Sequence, residues 1–323
     1  MILAYSVKLF CLCLASFFLL HAAVGLAVWF AVPAAIRLAK TMRARMAARF
    51  LLFLRLLPIL VAGVAVLGVG VPSYMWLEPR ATRESVGLAC SVAALLGLTI
   101  WCASIARALN LALRSSRYMR QCERIGREIS VEGASVPTKL LDIDAPVIAL
   151  AGVYRPKVWV SRSVINVLSV EQLDAALRHE NAHRVSRDNL KRFLFRLSPD
   201  IFPLTLGLDA LEHAWARFSE WAADDEATRG GERLSLLLAA ALVRVARLGA
   251  APIQAVSWTP LIGGDLSARV DRLLQKKMVM PTPTWRHGAL LGIATIVTVF
   301  AATVMQWAVI LRAAHEILER LVS

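Results

Sequence analysis

Four long apolar runs constrain this chain more than any other feature of its sequence. A helix needs about 20 mainly apolar residues to cross the hydrocarbon core of a bilayer. Runs of at least that length lie at 9–36, 51–77, 87–111 and 288–311. Because a backbone in lipid must satisfy its hydrogen bonds internally, each run is expected to form a transmembrane helix. This pattern and a composition that is 58% hydrophobic exclude an ordinary soluble domain.

Basic residues are spread unevenly between the loops, and this predicts an orientation. Residues 37–49 carry five basic side chains and no acid, and four arginines follow between 107 and 120. Positive loops stay in the cytoplasm, so segment 114–287 is predicted to be cytoplasmic and both termini to lie outside. The net charge of +14 follows largely from these flanks. Anionic lipid head groups explain it, and no direct nucleic-acid binding is expected.

Segment 170–197 contains the pattern H-E-x-x-H at His179, Glu180 and His183. A capping box that begins at Ser169 predicts that the whole segment is one helix. Residues four apart share a helix face, so both imidazoles can bind one metal ion. Glu180 follows His179 directly on the helix, where its carboxylate can reach a metal-bound water. These features are typical of a catalytic zinc site with a carboxylate general base.

A second motif, E-x-x-x-D, lies downstream at Glu220 and Asp224. A catalytic zinc needs three protein ligands and an open position for water, so Glu220 is the predicted third ligand. Asp224, one turn later, is predicted to accept the outer N–H of a ligand histidine. Acidic pairs at this spacing are usually solvated, but paired with H-E-x-x-H this one predicts a zinc peptidase. The five cysteines show no C-x-x-C spacing and add no metal framework.

The segment before the H-E-x-x-H helix changes to strand-like patterns. Residues 137–144, 147–151 and 157–160 are predicted strands, and the turn at 152–156 predicts a hairpin. A peptide substrate could add to the edge of such a sheet as an extra strand. The alternative, which the sequence leaves open, is that the hairpin only covers the core.

Taken in order, these motifs resemble the BlaR/MecR antirepressor membrane metallopeptidases of bacteria. The resemblance rests on three spans, GVYRPKVWV at 152–160, LSVEQLDAALRHENAHRVSRDN at 168–189, EWAADDEA at 220–227, SARVDRLL at 267–274 and a last span. It implies a gluzincin fold in the bacterial cytoplasmic membrane. It also implies that His179, His183 and Glu220 bind zinc, that Glu180 is the general base, and that Asp224 and Asp188 hold the ligands in place. About a dozen residues follow Leu311, so the penicillin-binding domain of the sensor members is not expected.

We therefore predict a mainly α membrane protein with four transmembrane helices and a cytoplasmic α+β, gluzincin-like zinc peptidase domain between the third and fourth. The predicted parts are a membrane module at 1–113, the peptidase domain at 114–287, and the last helix with a short external tail at 288–323. The expected function is cleavage of a cytoplasmic protein, a small DNA-binding repressor, with self-cleavage left open. Candidates for oxyanion or substrate contacts are His213, Tyr154, Arg269 and Arg272.

Three other functions stay open. One is a non-catalytic signalling scaffold with the same fold, against which the intact Glu180 argues. Another is a membrane quality-control protease of the prenyl-endopeptidase or heat-shock type, which shares both zinc motifs. An intramembrane protease of the site-two type is disfavoured, because charged residues crowd the metal helix and make its burial in lipid costly. The activating stimulus is not predicted, and the oligomeric state, a homo-oligomer included, also stays open.

Overall fold

The computed structural model describes residues 5–78, 86–129, 138–143, 145–199, 206–229, 231–249, 258–260, 265–275 and 307–322. Close contacts group the chain into two units. The first comprises Met1–Ala27, Leu57–Cys102 and Met278–Ser323, and the second comprises Val28–Leu56 and Ala103–Lys277. The predicted boundaries at 113 and 287 concern function and membrane position, which this grouping does not test.

The described residues are mostly helical. The helices are α1 (Tyr5–Lys40), α2 (Ala44–Ala65), α3 (Val71–Leu77), α4 (Leu88–Ile125), α5 (Arg162–Val167), α6 (Val170–Ser186), α7 (Asp188–Leu197), α8 (Leu206–Ala227), α9 (Glu232–Arg247), α10 (Leu266–Leu274) and α11 (Trp307–Val322). The strands are β1 (Arg127–Ile129), β2 (Thr138–Leu141), β3 (Ile148–Ala151), β4 (Lys157–Ser161) and β5 (Trp258–Pro260). A π-helical turn, Val66–Gly70, links α2 to α3.

Within the described residues, three helical stretches are long and apolar enough to cross a membrane: Tyr5–Lys40, Ala44–Leu77 and Leu88–Arg124. They coincide with the first three predicted spans, so the prediction of a membrane protein is confirmed to that extent. Most of the predicted fourth span lies outside the described residues, and only its last few residues fall in α11.

Close helix packing and a buried ion pair characterise the first unit. A Cβ added to Gly97 of α4 would lie 2.7 Å from the carbonyl oxygen of Leu14, so only glycine allows α1 and α4 to approach this closely. Lys8 Nζ of α1 donates a hydrogen bond of 2.8 Å to Glu78 Oε1, just after α3. Both side chains are 5% exposed, and burial of an ion is tolerated when it is paired in this way.

A five-stranded sheet in the order β1-β2-β4-β3-β5 organises the second unit. Strands β2 and β4 are parallel, and the other neighbouring pairs are antiparallel. Strands β3 and β4 pair across the predicted turn, with Ala151 opposite Lys157, so the predicted hairpin is confirmed. Strands β1 and β5 were not predicted, because three residues are too few to show an alternating pattern. Helix α4 continues past the end of the third apolar run and ends at Ile125, and β1 follows.

The two faces of the hairpin belong to different clusters of the core. One cluster packs Ile148, Leu150, Val158 and Val160 with residues of α6, α9 and α10. The other packs Ala149, Ala151 and Trp159 with Cys122 of α4. All four residues of β3 are buried, as expected for a strand that is covered on both faces. Helix α6 therefore lies against β3 within the core.

The prediction of one continuous helix over 170–197 is wrong. Helix α6 ends at Ser186, Arg187 adopts the left-handed conformation (φ 54°, ψ 41°), and α7 begins at Asp188. On an unbroken helix, residue 188 would be rotated about 140° from residue 183. The break instead brings the carboxylate of Asp188 back to the ring of His183, 2.7 Å from Nδ1.

Candidate metal centre

Helix α6 holds His179 and His183 one turn apart, with no exposed surface on either residue. Their Nε2 atoms lie 3.1 Å from each other. The predicted capping box at the start of α6 is present: Ser169 Oγ accepts from the Gln172 backbone, and the Gln172 side chain accepts from the Ser169 backbone. This cap fixes where the helix begins and hence which face the two histidines share.

Helix α8 packs against α6 and brings Glu220 to the two histidines. Glu220 Oε2 lies 3.5 Å from His179 Nε2, and Oε1 lies 3.6 Å from His183 Nε2. Glu220 is 3% exposed. The structure thus brings the three predicted ligands into one buried group that could hold a metal ion.

A second group with similarly close ligand atoms lies in the first unit, at Glu78, His315 and Glu319. It is a weaker candidate, because Lys8 already neutralises Glu78 and the Glu319 side chain is 61% exposed. Charged groups near a surface are usually solvated and often bind no metal, so this cluster is not assigned a metal.

An aspartate meets the outer nitrogen of each histidine. Asp188 Oδ2 lies 2.7 Å from His183 Nδ1, and Asp224 Oδ1 lies 2.9 Å from His179 Nδ1. Each carboxylate favours the tautomer with the proton on Nδ1, which leaves Nε2 free to bind a metal. Ser219 Oγ donates to Asp188 Oδ2 at 2.9 Å, and Lys191 Nζ donates to Oδ1 at 2.7 Å. Asp188 is therefore itself held in place.

Charge in this cluster shifts the pKa values of its members. Burial alone would lower the pKa of His183, but the carboxylates of Glu220 and Asp188 raise it to about 10. Burial also opposes protonation of His179, whose pKa is nevertheless raised by the nearby carboxylates of Asp224 and Glu220. Burial would raise the pKa of Glu220, but His183 and Arg269 hold it well below its usual range. Without a metal, protons therefore balance the buried carboxylates.

Glu180 is completely buried beside the metal group. In the described part of the chain, neither of its carboxylate oxygens makes a hydrogen bond of normal geometry. Burial raises the pKa of Glu180 to about 7, against the opposing effects of His179, His183 and the Leu150 backbone. Burying a carboxylate without a firm partner costs free energy and calls for an explanation. A pKa near neutral suits a general base.

Arg269 of α10 is part of the buried group. Its Nε and Nη2 donate to the two oxygens of Asp224 at 2.9 and 2.7 Å, and Nη1 lies 3.2 Å from Glu220 Oε2. The residue is 1% exposed. Burial would lower its pKa, but Asp224 and Glu220 raise it above the usual range. Its donors meet the carboxylates of Asp224 and Glu220 and hold them in place, and the predicted substrate contact of Arg269 stays a prediction.

The other predicted contacts are not brought to the metal group. Tyr154 lies in the β3–β4 turn and is 90% exposed. His213 is exposed, and its Nδ1 contacts the backbone oxygen of Asp209. Arg272 makes a bidentate ion pair with Asp225 at 2.8 and 2.9 Å.

Sequence reasoning missed two residues near the centre. Asn189 Nδ2 donates to the backbone oxygens of Leu150 and Gly152 at 3.1 and 2.8 Å, which fastens α7 to the end of β3. Arg192 Nη2 lies 3.6 Å from Glu220 Oε1. Both residues follow the unpredicted break at Arg187, so a continuous helix gave no reason to place them here.

A scan against models of known protein families finds no match to this chain, and a search of curated proteins finds none either.

Proposed function

We propose that this chain is a membrane-embedded zinc metalloendopeptidase that cleaves a cytoplasmic protein. The observation that carries the proposal is the convergence of His179, His183 and Glu220 on one buried point. Next to it lies Glu180, a buried carboxylate with a raised pKa. Two imidazoles and one carboxylate are the ligands of several catalytic zinc sites, which keep one position open.

The spacing of the ligand atoms suits zinc. Zinc binds nitrogen and oxygen at about 2.0–2.2 Å in a tetrahedron, whose edges are then about 3.3–3.6 Å. The two Nε2 atoms lie 3.1 Å apart, and the nearest distances to Glu220 are 3.5 Å from His179 to Oε2 and 3.6 Å from His183 to Oε1. These nearest distances are close to the edge lengths, although the two histidines face different oxygens of the carboxylate. When bound, zinc supplies a Lewis acid and lowers the pKa of a water molecule towards neutral.

In the proposed reaction, Glu180 accepts a proton from the attacking water while the water oxygen bonds to the peptide carbonyl carbon. Glu180 then transfers that proton to the leaving nitrogen as the C–N bond breaks. Asp188 and Asp224 keep the histidines oriented throughout. Arg269 offsets the negative charge of Asp224 and Glu220, which removes a penalty for keeping both ionised in the core.

We further propose a gluzincin-like fold, a fourth span at 288–311 and a small DNA-binding repressor as the substrate. The support is the order of motifs that resembles BlaR/MecR antirepressor peptidases, and the positive loops that predict a cytoplasmic peptidase. The described strands and helices are compatible with this arrangement, because a sheet strand runs beside the H-E-x-x-H helix.

The test compares full-length wild type with Glu180→Gln. Glu180→Gln should keep about one zinc per chain by elemental analysis, because Glu180 is not a ligand. Co-expressed with a repressor encoded beside its gene, this variant should yield about 10²–10⁴-fold less repressor fragment on an immunoblot. Glu171→Gln is the matched control, because Glu171 lies on the same helix and pairs with Arg233 at the surface.

Two results would contradict the proposal. A wild-type protein that contains no zinc would contradict the proposed metal centre. Equal fragment yield from wild type and Glu180→Gln would mean that another protease makes the cut. Cleavage of unfolded membrane proteins instead of the repressor would favour the quality-control alternative.

A further inference from the structure

Arg192 of α7 is a partly exposed cation beside the buried metal group. Its Nη2 is 3.6 Å from Glu220 Oε1, the ligand oxygen that also faces His183. The side chain is 25% exposed, whereas Arg269 on the other oxygen of Glu220 is buried. Its guanidinium carbon lies 5.7 Å from the ring centroid of the buried Trp215, which limits the orientations that the cation can adopt.

In the described part of the chain, the donors of Arg192 make no hydrogen bond, although Nη2 forms an ion pair with Glu220. Its Nε is buried and has no hydrogen-bond partner in the described part of the chain. The distance from Nη2 to Glu220 is longer than a hydrogen bond. By contrast, Arg269 is bound to Asp224 and Lys191 to Asp188. An arginine carries five N–H donors, so Arg192 can serve a ligand without breaking an existing hydrogen bond.

We propose that Arg192 is a catalytic residue that donates hydrogen bonds to the scissile carbonyl oxygen as this oxygen gains negative charge. The proposal rests on the function proposed above. When the water oxygen adds to the carbonyl carbon, the π electron pair moves onto the carbonyl oxygen, and the proton goes to Glu180. A fixed cation beside that oxygen stabilises the charge, and the pair returns when the C–N bond breaks. Nothing in the residue pattern predicted this role.

The test measures binding of a tetrahedral anion to the zinc-loaded, full-length protein in detergent. The probe is N-phosphoryl-Leu-Trp, whose phosphoryl group mimics the charged tetrahedral carbon, and its Kd is measured by calorimetry. Arg192→Ala should weaken binding about 10²-fold, the usual effect of losing one oxyanion donor. Arg192→Lys should recover part of the loss, because it restores the charge without the planar fork.

Arg196→Ala is the matched control. Arg196 lies one turn later on α7, its side chain is 52% exposed, and its ion pair is with Glu212 at 3.3 Å. It should bind the probe as the wild type does. All variants should keep the zinc content and the thermal midpoint of the wild type, which separates a contact with the ligand from a structural effect.

The outcomes distinguish the two proposals. A wild type without zinc contradicts the proposed function. A zinc-loaded wild type that binds the probe no better than Arg192→Ala, or does not bind it at all, overturns the role of Arg192 alone. An equal loss of probe affinity in Arg192→Ala and Arg196→Ala would also overturn the role of Arg192. The loss would then reflect the lower positive charge of α7 and not a contact with the probe.

Discussion

At the scale of single residues, the outer nitrogen of each ligand histidine is as important as the inner one. Asp188 and Asp224 each hold one Nδ1 atom, and Ser219 and Lys191 hold Asp188 in turn. These carboxylates raise the pKa of the histidines in the metal-free protein. The same contacts that orient the ligands therefore also make them hold protons more tightly.

We expect zinc affinity to rise with pH between 6 and 8. The pKa of His183 is raised to about 10, so zinc must displace a proton throughout this window, and each displaced proton changes the affinity about tenfold per pH unit. Asp188→Asn should lower zinc affinity about 10–100-fold at pH 8. The difference in zinc affinity between wild type and Asp188→Asn should be smaller at pH 6. Without the carboxylate of Asp188, His183 also binds the competing proton less tightly.

Competition with a chelator at each pH measures these affinities. Asp174→Asn is the control, because Asp174 lies on α6 but pairs with Arg178 outside the core. An affinity that does not change with pH, or an Asp188→Asn variant equal to wild type at pH 8, would contradict this prediction.

At the scale of elements, the break at Arg187 positions the first residues of α7 beside the metal group. It returns Asp188 to His183 and directs α7 so that Asn189 reaches the end of β3. A left-handed conformation costs a residue with a side chain about 1–2 kcal/mol. Arg187 is the one described non-glycine residue with a positive φ, so this cost is concentrated at the site.

Arg187→Gly should raise the free energy of unfolding by about 1 kcal/mol, because glycine adopts this conformation without strain. Arg187→Val should lower it by a similar amount or more, because a β-branched side chain fits the conformation poorly. Thermal denaturation of both variants in detergent checks the prediction. A lower midpoint for Arg187→Gly than for wild type would show that the arginine side chain itself stabilises the turn.

The sequence predicted the elements that have strong local patterns. The three long apolar helices, the β3–β4 hairpin and the capping box at Ser169 each depend on residues close together in the chain. The break at Arg187 has no such pattern. The contacts that accompany it join residues far apart in the chain, Asp188 with Ser219 of α8 and Asn189 with the end of β3. Arg269 was predicted near the site but in a different role, since only the fold shows that its donors meet Asp224 and Glu220.

At the scale of the whole molecule, the distribution of charge predicts which side each segment faces. Basic residues follow the first and third apolar helices, and few lie after the second. The described helices supply three stretches that could cross a membrane. The predicted fourth span would return the chain to the outside, so the two ends of the segment 278–323 should differ in location.

Reporter fusions after Gly249 and after Ser323 should therefore report opposite sides, with Gly249 in the cytoplasm. A fusion after Met42, between the first two helices, supplies a second cytoplasmic position. If Gly249 and Ser323 report the same side, the predicted fourth span does not cross the membrane. If Gly249 reports the outside and Ser323 the cytoplasm, the predicted orientation is wrong. If Met42 and Gly249 report different sides, either the second or the third apolar helix does not cross the membrane.

The position of Arg269 in the chain also determines when the buried carboxylates meet their cation during synthesis. It is made 45 residues after Asp224, the carboxylate that it binds, an interval of roughly 2–9 s at ordinary rates of translation. During that interval Asp224 and Glu220 lack their cation, and burying both ionised would be unfavourable. The buried group of His179, Glu220 and Asp224 therefore reaches its final balance of charge only after α10 is synthesised, and a nascent chain that ends before α10 lacks the cation that pairs with both carboxylates.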